Sequence, residues 1–249
     1  MTGSDGRARF GRRAAGWWAI GVLVAGCHGA RRVERVSIAN GAIGPLTVAV
    51  APAINLSGST DFDRNRFADL MASELSYAEG VSVIPVSRAL GVLAAQGTDG
   101  VTSPTHALEL VKLLGADAIL VFAVTEYDPY DPPSIGISAQ LYGTRPGPGD
   151  GSLDPVALSR QANLAASRTP ESAQRLLAQT QRVFDAAHGA VVADLRAFAK
   201  LRDGEDSPFG WRKYVVSQQH YIRYCCHATI RTLLNEVHGS GLAETQRER

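Results

Sequence analysis

Cysteine is scarce in this chain: three in 249 residues, two of them the neighbours Cys225 and Cys226. That excludes a disulfide framework. Adjacent residues on a helix point about 100° apart, so a metal pair or bridge is disfavoured and apolar filler is expected. Charge of one sign is also lacking. The formal net charge is +1, which gives no overall pull toward nucleic acid. No internal repeat is visible. Gly91, Gly97, Gly100 and Gly115 fit neither Walker nor dinucleotide spacing, and no G-x-S-x-G elbow occurs. Nucleotide-binding and serine-hydrolase chemistry therefore have no motif to stand on, and no cofactor is implied. Apolar residues make up 45 % of the chain, which is a globular composition.

The first residues read differently from the rest. Arg7, Arg9, Arg12 and Arg13 form a cationic patch, and an apolar run follows from Ala14 to Ala25. This is the plan of an export signal. The run is roughly a dozen residues, short of the about 20 that a spanning helix needs, so a transmembrane anchor is the weaker alternative. Arg12-Arg13 lacks the flanks of a twin-arginine signal and reads as ordinary n-region charge.

Val24-Ala25-Gly26-Cys27 closes the run. It resembles the lipobox of bacterial lipoproteins: aliphatic, small, small, cysteine. The resemblance implies a diacylglyceryl thioether on Cys27, cleavage before it, and acylation, of the palmitate type, of the new N-terminus. His28 follows where inner-membrane retention uses aspartate. By that likeness the lipid belongs in the outer membrane, with the protein facing the periplasm. Expected boundaries are a signal peptide over 1–26 and a lipidated cysteine with tether over 27–45. An α/β domain over 46–144, a loop over 145–169, a helical extension over 170–240 and a tail over 241–249 complete the plan. The tether reaches roughly 60 Å at most, at 3.3–3.6 Å per residue.

Leu46 to Ala53 is apolar throughout and predicts a buried strand. Asn55 to Ser59 is a turn, and Asp61 or Asp63 caps a helix carrying Phe67, Leu70, Met71 and Leu75 on one side. A short strand spans Val81 to Val86, and Ser87 caps a short helix through Leu93. Ser103-Pro104 starts a third helix and Gly115 stops it. Asp117 to Tyr127 is a second apolar strand, and Ile135 to Tyr142 alternates, which predicts one wetter face. Thr169-Pro170 starts a long helix toward Leu201, on which Leu177, Phe184, Val191 and Phe198 fall seven apart. A last helix from Trp211 to Val237 buries Tyr214, Tyr221, Ile222, Cys225, Thr229 and Leu233. The fold class is α/β: a mixed sheet of about four strands flanked by helices, with two long C-terminal helices.

Candidate chemistry is sparse. Asp61-x-Asp63 could hold a cation but reads better as helix capping. His220 and His227 are two turns apart without further zinc ligands and read as solvated or capping. His106 sits in a first helical turn with no assigned role. The loop Glu126-Tyr127-Asp128-Pro129-Tyr130-Asp131 stands out. Tyrosines beside carboxylates in a proline-stiffened connection suit recognition of a polar partner. The plain alternative is a solvated link between two strands.

The stretches TVAVAPAINLSGS (47–59), VSVIPVSR (81–88) and LLGADAILVFAVTEYD (113–128) resemble a domain shared by three envelope systems. These are the N-terminal domain of the Tol translocation protein, the lipoprotein activators of penicillin-binding proteins, and the curli-secretion lipoprotein. The likeness spans residues 46–142 and implies fold more than function. No propeller repeats follow, and only residues 135–142 alternate, which argues against a curli-type pore. None of these families is catalytic. The expectation is a non-enzymatic, lipid-anchored assembly or activation factor. It would hold the membrane through Cys27 and another envelope protein, a cell-wall synthase or secretion component, through Glu126, Tyr127, Asp128, Tyr130 and Asp131. Self-association as a subunit of an export assembly is one alternative; an unrecognised periplasmic hydrolase is the other.

Overall fold

A computed structural model describes residues 37–38, 45–143, 176–202 and 207–247. The chain divides between Arg32 and Val33, and everything described belongs to the second unit. Cys27, the 144–175 stretch and the start proposed for a helix at Thr169 lie outside the described residues.

The elements are β1 (Leu46–Val50), β2 (Ile54–Asn55), α1 (Arg64–Leu75), β3 (Val81–Ile84), α2 (Val86–Ala95) and α3 (Pro104–Leu114). Then follow β4 (Ala118–Asp128), β5 (Ser134–Gly143), β6 (Leu176–Asp185), α4 (Gly189–Arg202), a 3-10 turn (Gly210–Arg212), α5 (Lys213–Val216) and α6 (Gln218–Arg247). The sheet order is β3-β1-β4-β5-β6, with β2 on β4 beyond β1. β1 runs parallel to β3 and β4, whereas β4, β5 and β6 form an antiparallel meander. The expected mixed sheet is present, with more strands than four.

β1 forms where apolar side chains are covered on both faces: Val48, Ala49 and Val50 are all buried. Its pairing with β4 breaks at Pro52, which lacks the N–H a ladder needs. β1 leaves β4 at Val50↔Leu120 and β2 rejoins it at Ile54↔Ala123, so one extra residue is absorbed there. Asp117 then ties the two strand starts together. Thr47 N donates to Asp117 Oδ2 at 2.8 Å, and Asp117 N donates to Thr47 O at 2.8 Å. Replacing Asp117 with alanine strands the Thr47 amide and should cost about 1–2 kcal/mol in urea denaturation. No measurable loss would show that water replaces the carboxylate freely.

The helix signals are met by named atoms. Asp63, not Asp61, caps α1, accepting from Asn65 N and Arg66 N. Ser103 accepts from His106 N at the start of α3, and Gly115 ends it in the left-handed conformation at φ 65°. α2 begins directly after Pro85 without the expected Ser87 cap, and β3 accordingly stops at Ile84.

Helices cover both sheet faces. α1, α4 and α6 pack on one through Phe67, Met71, Leu195, Phe198, Tyr221 and Ile230. α2 and α3 pack on the other through Leu93, Leu110, Val111 and Leu114. β5 alternates, with Ile135, Ile137, Ala139 and Leu141 buried on one face, but the other face is drier than predicted: Ser134, Ser138 and Gln140 are half-buried and Gly136 and Tyr142 are buried.

One stretch departs from the sequence expectation. Residues 176–185 are strand β6, not the first half of a long helix. The seven-residue spacing of Leu177, Phe184, Val191 and Phe198 straddles a strand and a helix. Ala178, Thr180 and Phe184 are buried on one face, with half-buried Arg182 between the last two, as a strand's period of two requires. β5 would otherwise expose a row of unpaired peptide groups, and β6 pairs with it from Ser134↔Asp185 to Tyr142↔Leu176. Helix begins only at Gly189. At the C-terminus α6 runs on to Arg247 in place of a polar tail beginning after Gly239. Ala243, Glu244, Gln246 and Arg247 are good helix formers, which offsets the glycines.

Candidate functional site

The residues singled out for catalysis or metal binding disperse. Among the described residues no group of three or more His, Cys, Asp or Glu could hold a metal ion. Asp63 is committed to the α1 cap. His106 Nδ1 accepts from Thr102 N at 3.2 Å and its Nε2 meets Gln96 Oε1 at 2.9 Å, a local brace. His220 contacts Ser217 Oγ at 2.9 Å, in keeping with a capping role. Cys225 and Cys226 are fully buried free thiols, as filler should be. Burial pushes both thiols well above their ordinary pKa, and the neighbouring Cys226 (for Cys225) or Glu74 (for Cys226) adds to it. Neither favours the reactive thiolate.

His227 corrects its expectation. It is buried, not solvated, with Nδ1 3.5 Å from Glu74 Oε2. Glu74 is itself fully buried. It pairs with Arg202 at the end of α4, and Arg223 Nε on α6 lies 3.5 Å from its Oε1. The Arg202 guanidinium sits 3.9 Å over the Tyr77 ring, and Phe198 stacks 4.8 Å from His227. The cluster ties α1, α4 and α6 together. Sequence reasoning missed it, although Glu74 lies on the same helical stripe as Phe67, Leu70 and Met71. A carboxylate on a buried stripe signals a buried cation elsewhere.

An open depression of about 530 Å³ lies between α1 and α2, lined by Phe62, Arg64, Leu90, Leu93 and Asp99. Arg64 is consumed there, donating to Ala53 O at 2.8 Å and to Asp99 Oδ2 at 2.9 Å. These bonds hold the Asp99 carboxyl below the usual carboxylate range. Its two carboxylates are engaged, Asp63 by the α1 cap and Asp99 by Arg64.

The acidic hairpin presents a different arrangement. It joins β4 to β5 and brings Glu126, Tyr127, Asp128, Tyr130 and Asp131 to one tip. Asp128 Oδ1 accepts from Tyr130 N at 3.1 Å, and Glu126 Oε1 accepts from Ser134 Oγ at 2.6 Å. These bonds shape the loop without covering it. Tyr130 is 74 % exposed, and Glu126, Asp128 and Asp131 are also exposed.

Tyr127 behaves otherwise. Its ring meets Phe62 edge-on at 5.4 Å, and Gln218 Nε2 donates to its hydroxyl. Burial raises its pKa, so the hydroxyl stays protonated. It braces the hairpin against the 54–63 turn and the start of α6. The turn in turn is held by Asn55, whose Oδ1 accepts from Ser57 N at 3.1 Å and whose Nδ2 donates to Ser59 O at 2.8 Å. Leu56 N donates to Val124 O at 2.8 Å, and Arg66 Nη2 donates to Gln219 Oε1 at 2.7 Å. Three segments therefore converge around Tyr127. Sequence reading found one of them.

No family model matches the chain, and no curated protein does. Solved structures do. The chain is similar to the LpoB C-terminal domain from Salmonella enterica at 10 % identity and TM-score 0.40, covering 61 % of this chain and 92 % of that one. It is similar to lipoprotein GNA1162 from Neisseria meningitidis at 18 % identity and TM-score 0.38, covering 63 % and 96 %. It is similar to the PelC dodecamer from Paraburkholderia phytofirmans at 14 % identity and TM-score 0.28, covering 59 % and 78 %. One of these three, the Neisseria protein, is a lipoprotein by name.

Proposed function

We propose that this protein is a lipid-anchored, non-catalytic binding factor of the cell envelope. It holds the outer membrane through acyl chains on Cys27 and engages another periplasmic protein through the hairpin tip. The anchoring reading rests on the lipobox, Val24 to Cys27. Among the described residues no helix is long and apolar enough to cross a membrane. The observation that carries the binding reading is Tyr130: a large aromatic 74 % exposed on a loop whose shape is set by hydrogen bonds. An ordered, exposed tyrosine loses little conformational entropy on binding and is a favoured contact residue. The partner expected is a component of cell-wall synthesis or secretion.

The test is photo-crosslinking in intact envelopes with a photoreactive residue at Tyr130. A discrete adduct is expected there and not at Leu113, which is exposed on α3. Equal labelling at the two positions, or none at Tyr130, would sink the reading.

A further inference from the structure

The Glu74 cluster holds three polar atoms that make no hydrogen bond. Glu74 Oε1, Arg202 Nε and His227 Nδ1 are shut off from solvent, and none has a hydrogen-bond partner among the described residues. A buried polar group left unpaired is destabilising, so such groups are met by protein or by ordered water. A buried ion pair in particular needs further hydrogen bonds for its remaining lone pairs and protons.

The three atoms lie together. Arg202 Nη2 contacts Glu74 Oε2, and His227 Nδ1 is 3.5 Å from that same oxygen. Glu74 Oε1 shares its carbon with Oε2, and Arg202 Nε shares its carbon with Nη2. Each unpaired atom is therefore beside the contact or two bonds from it. They come from three helices: Glu74 from α1, Arg202 from the end of α4 and His227 from α6.

The side chains are not free to turn toward one another. The Arg202 guanidinium is held 3.9 Å from the centre of the Tyr77 ring and 5.3 Å from that of Phe198. Tyr77 is itself fixed through its backbone. Ile38 pairs with Ala78 in an isolated parallel bridge, in which Ile38 N donates to Tyr77 O at 3.0 Å and Glu79 N donates to Ile38 O at 2.9 Å. The His227 ring is stacked 4.8 Å from Phe198. Arg223 Nε stays 3.5 Å from Oε1, an ion pair without a hydrogen bond.

The chemistry of the three atoms selects what joins them. A carboxylate oxygen only accepts, and an arginine Nε–H only donates. An anion would satisfy Arg202 but face the Glu74 oxygen. A cation would satisfy Glu74 but face two guanidinium groups. Water both donates and accepts, and it serves either tautomer of His227: it donates to Nδ1 in one and accepts from it in the other. About three polar partners is the usual number for a buried water. We propose that Glu74 Oε1, Arg202 Nε and His227 Nδ1 bind one buried water molecule shared by α1, α4 and α6. It completes the hydrogen bonds of the ion pair, so the three helices are joined through it as well as through the direct contact.

A crystal structure of the full chain, at a resolution that orders buried waters, tests this. The expected result is one density peak within about 2.7–3.2 Å of all three atoms. His227→Leu removes one partner and should lose the peak while Glu74 stays paired with Arg202. Crystals soaked in bromide should show no anomalous signal there. A two-pronged Arg202–Glu74 pair that uses Nε and Oε1 directly, with no peak, overturns the proposal. Bromide at the peak overturns water as the ligand. A peak of unchanged occupancy in the variant overturns the role of His227. If the variant does not fold, the parent structure and the bromide soak still decide between water, an anion and direct pairing.

Discussion

Glu74→Ala is expected to lower stability by about 3–5 kcal/mol, because it leaves a buried cation without its counter-charge. Arg202 is nearly buried, held over Tyr77 and against Phe198, and cannot reach water without unpacking the end of α4. His227 and Arg223 lose the same partner. For a domain of this size the loss corresponds to a melting temperature lower by roughly 10 °C. Glu74→Gln keeps an acceptor in place and should cost less. Removing the ionic group entirely, with Arg202 also made apolar, should recover part of the loss, since buried pairs contribute little net stability over apolar packing. A Glu74→Ala protein that melts within about a degree of the parent would mean that Arg202 turns outward cheaply.

Cys27→Ser, carried behind an export signal that is cleaved without lipidation, is expected to abolish lipid attachment and move the protein from the membrane to the soluble fraction. Each methylene buried in a bilayer contributes about 0.8 kcal/mol, so losing several acyl chains outweighs any surface contact the domain makes. Labelled palmitate followed by fractionation reads both effects. A variant that stays membrane-bound without label would assign anchoring to the folded domain instead.

What was legible in the sequence is what local chemistry decides. The Ser103-Pro104 start and Gly115 stop of α3 are read from backbone rules within one helix. β1 is apolar enough to be a central strand by itself. The hairpin tip stands out because proline and aspartate leave few other options there. β6 was not legible: its period of two is short, and a seven-residue apolar spacing overlies it by coincidence. Only the free edge of β5 decides the matter, and that edge exists in three dimensions. The same holds for the site. Tyr130 and Asp131 could be nominated from the loop, but the Tyr127 brace depends on Gln218, 91 residues away. Glu74 meets Arg202 across 128 residues. Pairings at such separations leave no periodic trace.

The Ile38 bridge has a mechanical consequence. It is held by two hydrogen bonds, whereas β1 is laced into the sheet along both sides. A pull on the chain before Ile38 meets two hydrogen bonds and one side chain buried in the core before it loads β1. The bridge thus acts as a fuse: it gives way while the sheet keeps its register.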